Sequence, residues 1–484
     1  MTGVGAVAAG NAHTAAAAAE VLRAGGNAVD AVVAAGFAAA TAEPTLASLG
    51  GGGFLLSAPP DGPERLLDFF VDAPGRGRPS DAPRPLPQPV TLRFTGAEQV
   101  FAAGWGSVAV PGCLDGWLHA VRALGRLPLA QVVAPAARLA RTGAVLDEAQ
   151  AGLLVLLRDV LLLTDDGKTL FAPQGRLLRA GERLRNPLLA DVLDDVARGV
   201  VTGFASLADA LQEGADRAGA LVGAEDAAAY AVVEREPLRA RYRGSEVVTN
   251  APPSFGGALV LAALEELDQG DVLDASPGAA VRLADALTRM SERHVAVPQA
   301  VRGTTHVSVL DHDGGLAAMT LSNGSCSGVF VPGTGVQLNN VMGEADLHPQ
   351  GLWSTVPGTR IGSMMAPTLL RSPDGTRTAL GSGGSERIRS ALLCTLTALV
   401  DRAARLEDAV RAPRLHWDRR VLQVEPGLGD EVLAALRPGR EVHEWAARDL
   451  YFGGVHAVSR TADGQVLAVG DARRAGVGLV VRAA

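Results

Sequence analysis

The stretch "VRGTTHVSVLDHDG", residues 301–314, decides the fold, because it begins a predicted β-hairpin. The longer run "THVSVLDHDGGLAAMTLS" predicts a strand, a turn and a second strand, and the turn from Asp311 to Gly315 has the Asp and Gly content typical of hairpins. Gly303, Thr304 and Thr305 stand at the start of the first strand. Threonine favours strands and glycine commonly ends a loop, so this tripeptide alone indicates no chemistry.

The chain before the hairpin predicts one early strand and many helices. We expect a strand at Val4 to Ala9 and a helix from about Ala12 to Arg23, with Asn11 as its N-cap. The proline-rich stretch Pro74 to Pro89 predicts a surface loop, because proline fits neither a central strand nor a helix interior. From Gly112 to about Leu211 the apolar spacing is mostly helical.

The chain around and after the hairpin alternates between helical and strand-rich blocks. Helices are expected at about 258–267, 279–293 and 386–401, and strands in "TLLRSPDGTRTALGS" and "GVHAVSRTADGQVLAVG". Segregated blocks of this kind favour an α+β layered fold over strict βαβ alternation.

Composition excludes several classes of protein. The 484 residues are 48% hydrophobic and 20% charged, which is typical of a globular chain. A net charge of −8 without a basic stripe gives no argument for nucleic acid, and no run of 18 apolar residues predicts a membrane span. Three scattered cysteines predict neither a disulfide framework nor a zinc site. With no signal-peptide pattern at the amino terminus, we expect a cytoplasmic protein.

Most short motifs favour a structural interpretation. "GGGGF" at Gly50 to Phe54 lacks the lysine or the spacing of a phosphate loop, and the nine histidines show no metal-ligand spacing. Ser382 does not stand in a Gly-x-Ser-x-Gly elbow. "GSGGSERIRS", residues 381–390, predicts a strand end, a glycine-rich turn and a helix start, either as an ordinary turn or as a set of N–H groups suited to a developing negative charge.

Taken in order, several stretches resemble the γ-glutamyltransferase (glutathione hydrolase) family of N-terminal-nucleophile hydrolases. They are "GGNAVDAVVAAGFAAATAEP", "SLGGGGFLL", "SVAVPGCLDGW", "YRGSEVVTNAPPSFGG", "GTTHVSVLDHDGG", "SGVFVPGTGVQLNN", "SMMAPTLL", "LGSGGSERI" and "APRLHWD". The resemblance covers nearly the whole chain, although the segment from Gly257 to Thr304 is shorter than in the family. The chain is therefore similar to a divergent, shortened member.

The resemblance implies a four-layer αββα sandwich and a precursor that cuts itself between Gly303 and Thr304. Residues 1–303 would form the large piece and 304–484 the small one, intertwined in one domain. Cleavage would give Thr304 a free α-amino group, with a pKa near 8 in model peptides, beside its hydroxyl. Nucleophile and base would then share one residue.

The implied reaction is a two-step acyl transfer from a small amide substrate. Thr304 would form an ester, which water or an amine then resolves. The hairpin's second strand would bring Thr320, Ser322 and Asn323 back near the nucleophile, and by resemblance Ser322 would be the hydroxyl residue that supports it. The oxyanion donors would be the N–H groups of Gly384 and Ser385. The resemblance implies no metal and no organic cofactor.

The expected substrate pocket departs from the family pattern. By resemblance, the matching positions are Phe70, Asn323, Glu344, Ser363 and Met364. The family has an arginine where this chain has Phe70, and a phenyl ring offers a substrate carboxylate no hydrogen bond. Arg76, Arg78 or Arg84 would be candidate replacement cations.

Three functions therefore remain open from the sequence. The first is γ-glutamyl transfer or hydrolysis, with substrates such as glutathione. The second is a related acylase for a less polar acyl group, because loss of polar contacts lowers selectivity for a polar ligand. The third is a family member that never matures and acts as a binding protein.

Overall fold

Two antiparallel sheets packed face to face form the centre of the molecule. The computed structural model of the chain describes residues 3–79, 85–94, 97–293, 303–344, 347–348, 351 and 354–483. Within these residues the first sheet has seven strands, in the spatial order β22 (Val477–Arg482), β1 (Val4–Ala9), β11 (Gly303–Leu310), β12 (Leu316–Gly324), β2 (Gly52–Ala58), β3 (Arg65–Phe69) and β8 (Val233–Arg235). The second has six, in the order β21 (Val466–Val469), β20 (Gly454–Arg460), β16 (Arg377–Gly383), β15 (Thr368–Arg371), β10 (Ser245–Thr249) and β9 (Leu238–Tyr242).

The strands are β1 (Val4–Ala9), β2 (Gly52–Ala58), β3 (Arg65–Phe69), β4 (Gln88–Phe94), β5 (Ala97–Ala103), β6 (Ala144–Val145), β7 (Arg183–Leu184), β8 (Val233–Arg235), β9 (Leu238–Tyr242), β10 (Ser245–Thr249), β11 (Gly303–Leu310), β12 (Leu316–Gly324), β13 (Phe330–Val331), β14 (Val336–Gln337), β15 (Thr368–Arg371), β16 (Arg377–Gly383), β17 (Leu415–Trp417), β18 (Val421–Val424), β19 (Glu441–Glu444), β20 (Gly454–Arg460), β21 (Val466–Val469) and β22 (Val477–Arg482).

The helices are α1 (Ala12–Arg23), α2 (Ala28–Ala42), α3 (Cys113–Leu124), α4 (Leu129–Thr142), α5 (Glu148–Leu156), α6 (Arg158–Leu161), α7 (Asp165–Phe171), α8 (Pro187–Ala197), α9 (Ala208–Ala218), α10 (Ala224–Ala229), α11 (Phe255–Asp268), α12 (Pro277–Glu292), α13 (Arg387–Val400), α14 (Leu406–Arg411) and α15 (Asp430–Leu436).

The helices complete the predicted four-layer sandwich, which is confirmed. Helices α1, α2 and α3 pack on the outer face of the first sheet, and α11 and α13 on the outer face of the second. All fifteen residues of α2 are buried, and its many alanines let it pack closely against both the sheet and other helices. Separate apolar clusters fill the space beneath each helical layer.

The predicted hairpin is confirmed as β11 and β12, and one aspartate organises its turn. The Asp311 carboxylate accepts hydrogen bonds from the N–H groups of Asp313 at 3.0 Å and Gly315 at 2.7 Å. It also accepts one from the N–H of Ala28, the first residue of α2, at 3.0 Å. The turn is therefore tied to the helix that packs on the same sheet.

The early elements also agree with prediction, whereas the proline-rich loop is shorter than expected. Asn11 caps α1 by accepting a hydrogen bond from the N–H of His13 at 2.8 Å. Pro89 was expected in the loop but lies in β4, opposite Ala102 of β5. These two strands form a sheet of their own, in which each strand has a free edge that tolerates a residue without an N–H.

Strands from both sides of the expected cleavage site alternate in the first sheet. The hairpin β11–β12 lies between β1 and β2, and β22 borders β1 on its other side. Residues 1–303 and 304–484 thus build this sheet together.

Candidate active site

Thr304 stands at the start of β11, in the middle of the first sheet, opposite Ser322 of β12. The register shifts between Gly303 and Thr304, so the backbone is irregular at the peptide bond expected to be cut. Thr304 is only 4% exposed in the uncleaved chain. Val307 and Val309 pack toward the helical layer, so strand alternation turns Thr304 and His306 toward the second sheet.

The Ser322 hydroxyl connects both sides of this peptide bond. Its oxygen donates a hydrogen bond to the carbonyl oxygen of Gly303 at 2.8 Å and accepts one from the N–H of Gly324 at 3.1 Å. The Thr304 hydroxyl lies 3.4 Å from it, longer than an ordinary O–H···O hydrogen bond. The geometry polarises the Gly303 carbonyl and leaves the threonine hydroxyl without a strong partner.

The close approach of three chain segments explains why residue 303 is a glycine. A Cβ at this position would lie 2.4 Å from the carbonyl oxygen of Thr45 and 2.5 Å from that of Gly324. Both contacts are with backbone and therefore resist adjustment.

The end of β16 crosses Thr304 from the second sheet. A Cβ on Gly383 would lie 2.1 Å from the carbonyl oxygen of Thr304, so a glycine is required for the approach. The following turn contains Gly384 at φ +122° and Ser385 at φ +55°, and leads into α13. Among the described residues, neither N–H group of this pair has a hydrogen-bond acceptor. The turn therefore presents unused donors beside Thr304.

Two charged residues that sequence reasoning missed hold the start of β11. The guanidinium of Arg474 donates to the carbonyl oxygen of Thr304 at 3.1 Å. Glu43 is fully buried, and its carboxylate accepts hydrogen bonds from the hydroxyls of Thr14 at 2.6 Å and Thr305 at 2.7 Å. Burial raises the pKa of Glu43. A lone acid after a long apolar run was a signal for Glu43, whereas the stretch around Arg474 offered none.

A buried row of polar groups continues from Thr304 between the sheets. The His306 ring contacts the hydroxyls of Thr320 at 2.8 Å and Ser308 at 2.9 Å, and Ser308 donates to the carbonyl of His456 at 3.0 Å. Burial holds the pKa of His306 well below its ordinary value and lowers that of His456 to about 4. Both rings are therefore neutral at neutral pH. Thr320, which was expected near the nucleophile, bonds His306 and not Thr304.

Phe70 follows β3 and reaches the site across β2. Gly52 of β2 lies opposite Ser322, and a Cβ on Gly52 would come within 3.0 Å of the Phe70 ring. The ring stacks on Phe54 with a centroid separation of 5.8 Å, and Phe70 is 2% exposed. An apolar surface thus borders the side of Ser322 away from Thr304.

Charged side chains fix the backbone of Phe70. Its N–H donates to Asp68 at 2.9 Å, and its carbonyl accepts from the Tyr230 hydroxyl at 2.7 Å and from the Arg360 guanidinium. Asp72 pairs with the same guanidinium at 3.0 Å. Burial nevertheless raises the pKa of Asp72 to about 6.

The remaining expected pocket residues divide into two groups. Asn323 is fully buried next to Ser322, and neither polar atom of its side chain has a partner among the described residues. A carboxylate oxygen of Glu344 lies 2.7 Å from the position of a Cβ on Gly324, which places it near the cleavage site. Ser363 instead accepts a hydrogen bond from the N–H of Met365 at 3.1 Å, and Met364 is buried. Within the described residues, no hydrogen bond joins this second pair to Thr304 or Ser322.

Two of the proposed replacement cations lie elsewhere. Arg76 and Arg78 line an open cleft of about 710 Å³ together with Glu225. Arg76 donates to the carbonyl of Gly358 at 3.3 Å, and Arg78 pairs with Asp216 at 3.4 Å. Arg84 lies outside the described residues.

The described residues contain neither a metal-binding cluster nor a membrane-spanning helix. In the described part of the chain, no group of three or more His, Cys, Asp or Glu side chains is arranged to hold a metal ion. No helix there combines the length and the apolar character needed to cross a membrane.

The chain is similar to known enzymes over most of its length. The family model described as gamma-glutamyltranspeptidase matches residues 14–297 and 288–481. The acylase ACY 1 proenzyme of Pseudomonas sp. (strain SE83) is 30% identical over 496 residues, which cover 93% of this chain and 88% of the relative. The glutathione hydrolase proenzyme of Escherichia coli (strain K12) is 28% identical over 523 residues, which cover 94% of this chain and 88% of the relative.

A solved structure is also similar over nearly the full length. The cephalosporin acylase from Bacillus halodurans superposes with a TM-score of 0.82 at 26% identity, and the match covers 99% of this chain and 96% of that one.

Proposed function

Because the chain belongs to the gamma-glutamyltranspeptidase family and is an enzyme of that family, we propose that it is a self-cleaving threonine-nucleophile amide hydrolase or acyltransferase. The precursor cuts itself between Gly303 and Thr304 into residues 1–303 and 304–484. Two relatives that carry the name proenzyme, one an acylase and one a glutathione hydrolase, support a precursor of this kind.

The observation that carries the proposal is the arrangement of Thr304 and Ser322 around the Gly303 carbonyl. The Ser322 hydroxyl, 2.8 Å from that carbonyl oxygen, draws electron density from the carbonyl carbon. The Thr304 oxygen attacks this carbon, the C–N bond breaks, and the hydroxyl proton passes to the nitrogen. Water then hydrolyses the resulting ester, which leaves a carboxylate on Gly303 and an amino group on Thr304.

The same threonine then performs acyl transfer on a substrate. Its α-amino group takes the hydroxyl proton as the oxygen attacks an amide carbonyl. The unused N–H groups of Gly384 and Ser385 stabilise the oxyanion. The leaving amine takes the proton, and water or an acceptor amine resolves the ester.

The first candidate acyl group is γ-glutamyl, as in glutathione. The family match and the similarity to the E. coli glutathione hydrolase proenzyme support it. Asn323 and Glu344 contribute polar atoms near Ser322 for a charged acyl group.

The second candidate is a less polar acyl group, and Phe70 is the observation that favours it. Its buried ring lies across Gly52 from Ser322, in the direction away from Thr304, and stacks on the buried ring of Phe54, so this side of Ser322 is apolar. The 30% identity to the Pseudomonas acylase ACY 1 proenzyme supports this alternative.

Intact-mass measurement of the purified protein tests self-cleavage. We expect two pieces, the smaller beginning with Thr304, whereas Thr304→Ala stays intact and Thr304→Ser, which keeps a hydroxyl, is still cut. An intact chain in all three proteins would favour the non-maturing binding protein instead.

Release of 4-nitroaniline from γ-glutamyl and simple acyl anilides distinguishes the two acyl groups. Turnover of the γ-glutamyl compound supports the first candidate. Turnover of acyl anilides alone supports the second.

A further inference from the structure

Arg474 is a partly buried cation placed against Thr304. It lies between β21 and β22, and its guanidinium is 3.1 Å from the carbonyl oxygen of Thr304. Its neighbour Arg473 pairs with Glu425 at 2.5 Å, whereas Arg474 has no carboxylate within 4.0 Å among the described residues. Burial lowers the pKa of Arg474 to about 10, so the side chain still carries its charge at neutral pH.

The guanidinium is also close to the Thr304 nitrogen. The nitrogen and carbonyl oxygen of one residue are about 3 Å apart, so the guanidinium lies within about 6 Å of that nitrogen. In the uncleaved chain this nitrogen is an amide and carries no charge. After the scission proposed above it becomes an amine, for which a neighbouring cation disfavours the protonated form.

We infer that Arg474 keeps the α-amino group of cleaved Thr304 uncharged at neutral pH, so that it is able to accept a proton. This inference rests on the proposed function. An ordinary α-amine has a pKa of about 8 and is mostly protonated at pH 7, when it has no lone pair to offer.

Among the described residues, five other charged or titratable groups lie around Thr304. They are Glu43 after α2, His306 on β11, Glu344 beyond β12, Arg387 on α13 and His456 on β20. The proposed scission adds the Gly303 carboxylate, whose negative charge opposes that of Arg474. Both histidines are neutral at pH 7. Glu43 binds Thr305 rather than Thr304, and burial raises its pKa. Glu344 approaches from the Gly324 side, while Arg387 adds a positive charge near Arg474.

The expected size of the effect follows from distance. A unit charge at about 6 Å in an effective dielectric of about 20 shifts a titration by about two pH units. Arg474 by itself should therefore lower the titration of the cleaved amine from about pH 8 to about pH 6.

Competitive labelling of the Thr304 amine with acetic anhydride, followed by mass spectrometry of the peptide that begins at Thr304, measures this titration without a substrate. Arg474→Gln removes the charge but keeps an amide donor for the Thr304 carbonyl, and Arg474→Lys keeps the charge. We expect half-labelling to move up by one to two pH units in the glutamine variant and to stay close to wild type in the lysine variant. The pH dependence of kcat/KM should be measured with an anilide that the wild-type enzyme cleaves. Its acidic limb should move to higher pH in the glutamine variant by the same amount as the labelling.

Two results would overturn the inference while the proposed function stands. The first is a wild-type amine that titrates at pH 8 or above. The second is a cleaved glutamine variant whose amine titrates as in wild type. If the glutamine variant is not cleaved, the wild-type titration alone decides. A wild-type chain that never acquires an amino-terminal Thr304 would instead remove the proposed function, and this inference with it.

Discussion

At the scale of single residues, the proposed self-cleavage depends most directly on the side chain of Ser322. Its hydroxyl is the donor to the Gly303 carbonyl, and loss of one such donor typically slows acyl chemistry by about 10²–10³-fold. We therefore expect Ser322→Ala to slow the appearance of the two pieces by about that factor, measured by intact mass over time.

Ser327→Ala is the matched control for this change. Ser327 is also buried and also donates its hydroxyl to a backbone carbonyl, that of Leu338 at 2.7 Å, but away from Thr304. Both variants lose one hydrogen bond donated to a carbonyl and one accepted from a backbone N–H, so equal slowing in both would indicate a folding defect and contradict the role of Ser322.

Asp72 gives a residue-scale prediction about pH. Its folded pKa of about 6 lies above the ordinary value, so its contribution to stability is fully present below about pH 4 and is lost as the pH rises through 6. Asp72→Asn has no such titration. The free energy of unfolding of the variant, relative to wild type, should therefore rise by about 3 kcal/mol between pH 4 and pH 7.5. Urea unfolding at the two pH values measures this, and a pH-independent difference would contradict it.

Individual residues were unequally predictable. Thr304 and Ser322 were assigned by family resemblance, and the hairpin register places them opposite each other. Arg474 was missed because it reaches Thr304 through the tertiary fold, from 170 positions away. No local pattern encodes such a contact.

At the scale of elements, the junction between residue 303 and β11 is a point of close backbone contact. Gly303→Ala places a Cβ within 2.5 Å of two carbonyl oxygens, so we expect lower precursor stability and slower cleavage. Gly152→Ala is the control, because a Cβ there meets nothing within 4 Å and alanine favours the interior of α5. The unfolding temperature should fall, and cleavage followed by intact mass should slow, in the first variant alone. Normal cleavage in the Gly303→Ala variant would contradict this prediction. It would show that the segments around Thr45 and Gly324 move apart at little cost.

The turn between β16 and α13 gives a second prediction at this scale. If the oxyanion donors are backbone N–H groups, Ser385→Gly keeps both donors and also suits the φ of +55°. We therefore expect the variant to retain anilide turnover close to that of wild type. Removal of a donor would instead lower turnover by about 10²–10³-fold. A loss of that size would show instead that the serine hydroxyl is required.

Elements were more predictable than their edges. The hairpin, α1 and α13 follow from periodicity, caps and turn residues, because local interactions dominate there. Pro89 was placed in a loop because proline is excluded from central strands, and only the pairing of β4 with β5 shows that both are edge strands.

At the scale of the whole molecule, cleavage should leave a single particle. Hydrogen bonds from β1 and β2, both in residues 1–303, hold the hairpin on its two sides. We expect the two pieces to co-elute on native size exclusion and to separate only on a denaturing gel. Separation without denaturant would contradict the interleaved sheet.

The layered architecture was predictable, whereas the surroundings of the substrate pocket were not. Block-wise segregation of helices and strands indicated α+β, and the resemblance implied four layers. The placement of Arg76 and Arg78 in a separate cleft, and of Phe70 against Phe54, depends on packing between segments far apart in the sequence.

The alternation of strands in the first sheet also imposes an order on biosynthesis. When the ribosome has released only residues 1–303, β1 and β2 still lack the hairpin that will separate them. The backbone groups of both strands that pair with the hairpin therefore stay unpaired until the hairpin has been translated and inserted. The proposed scission would therefore follow completed assembly, and a chain truncated before the hairpin would be prone to aggregate rather than form a stable half.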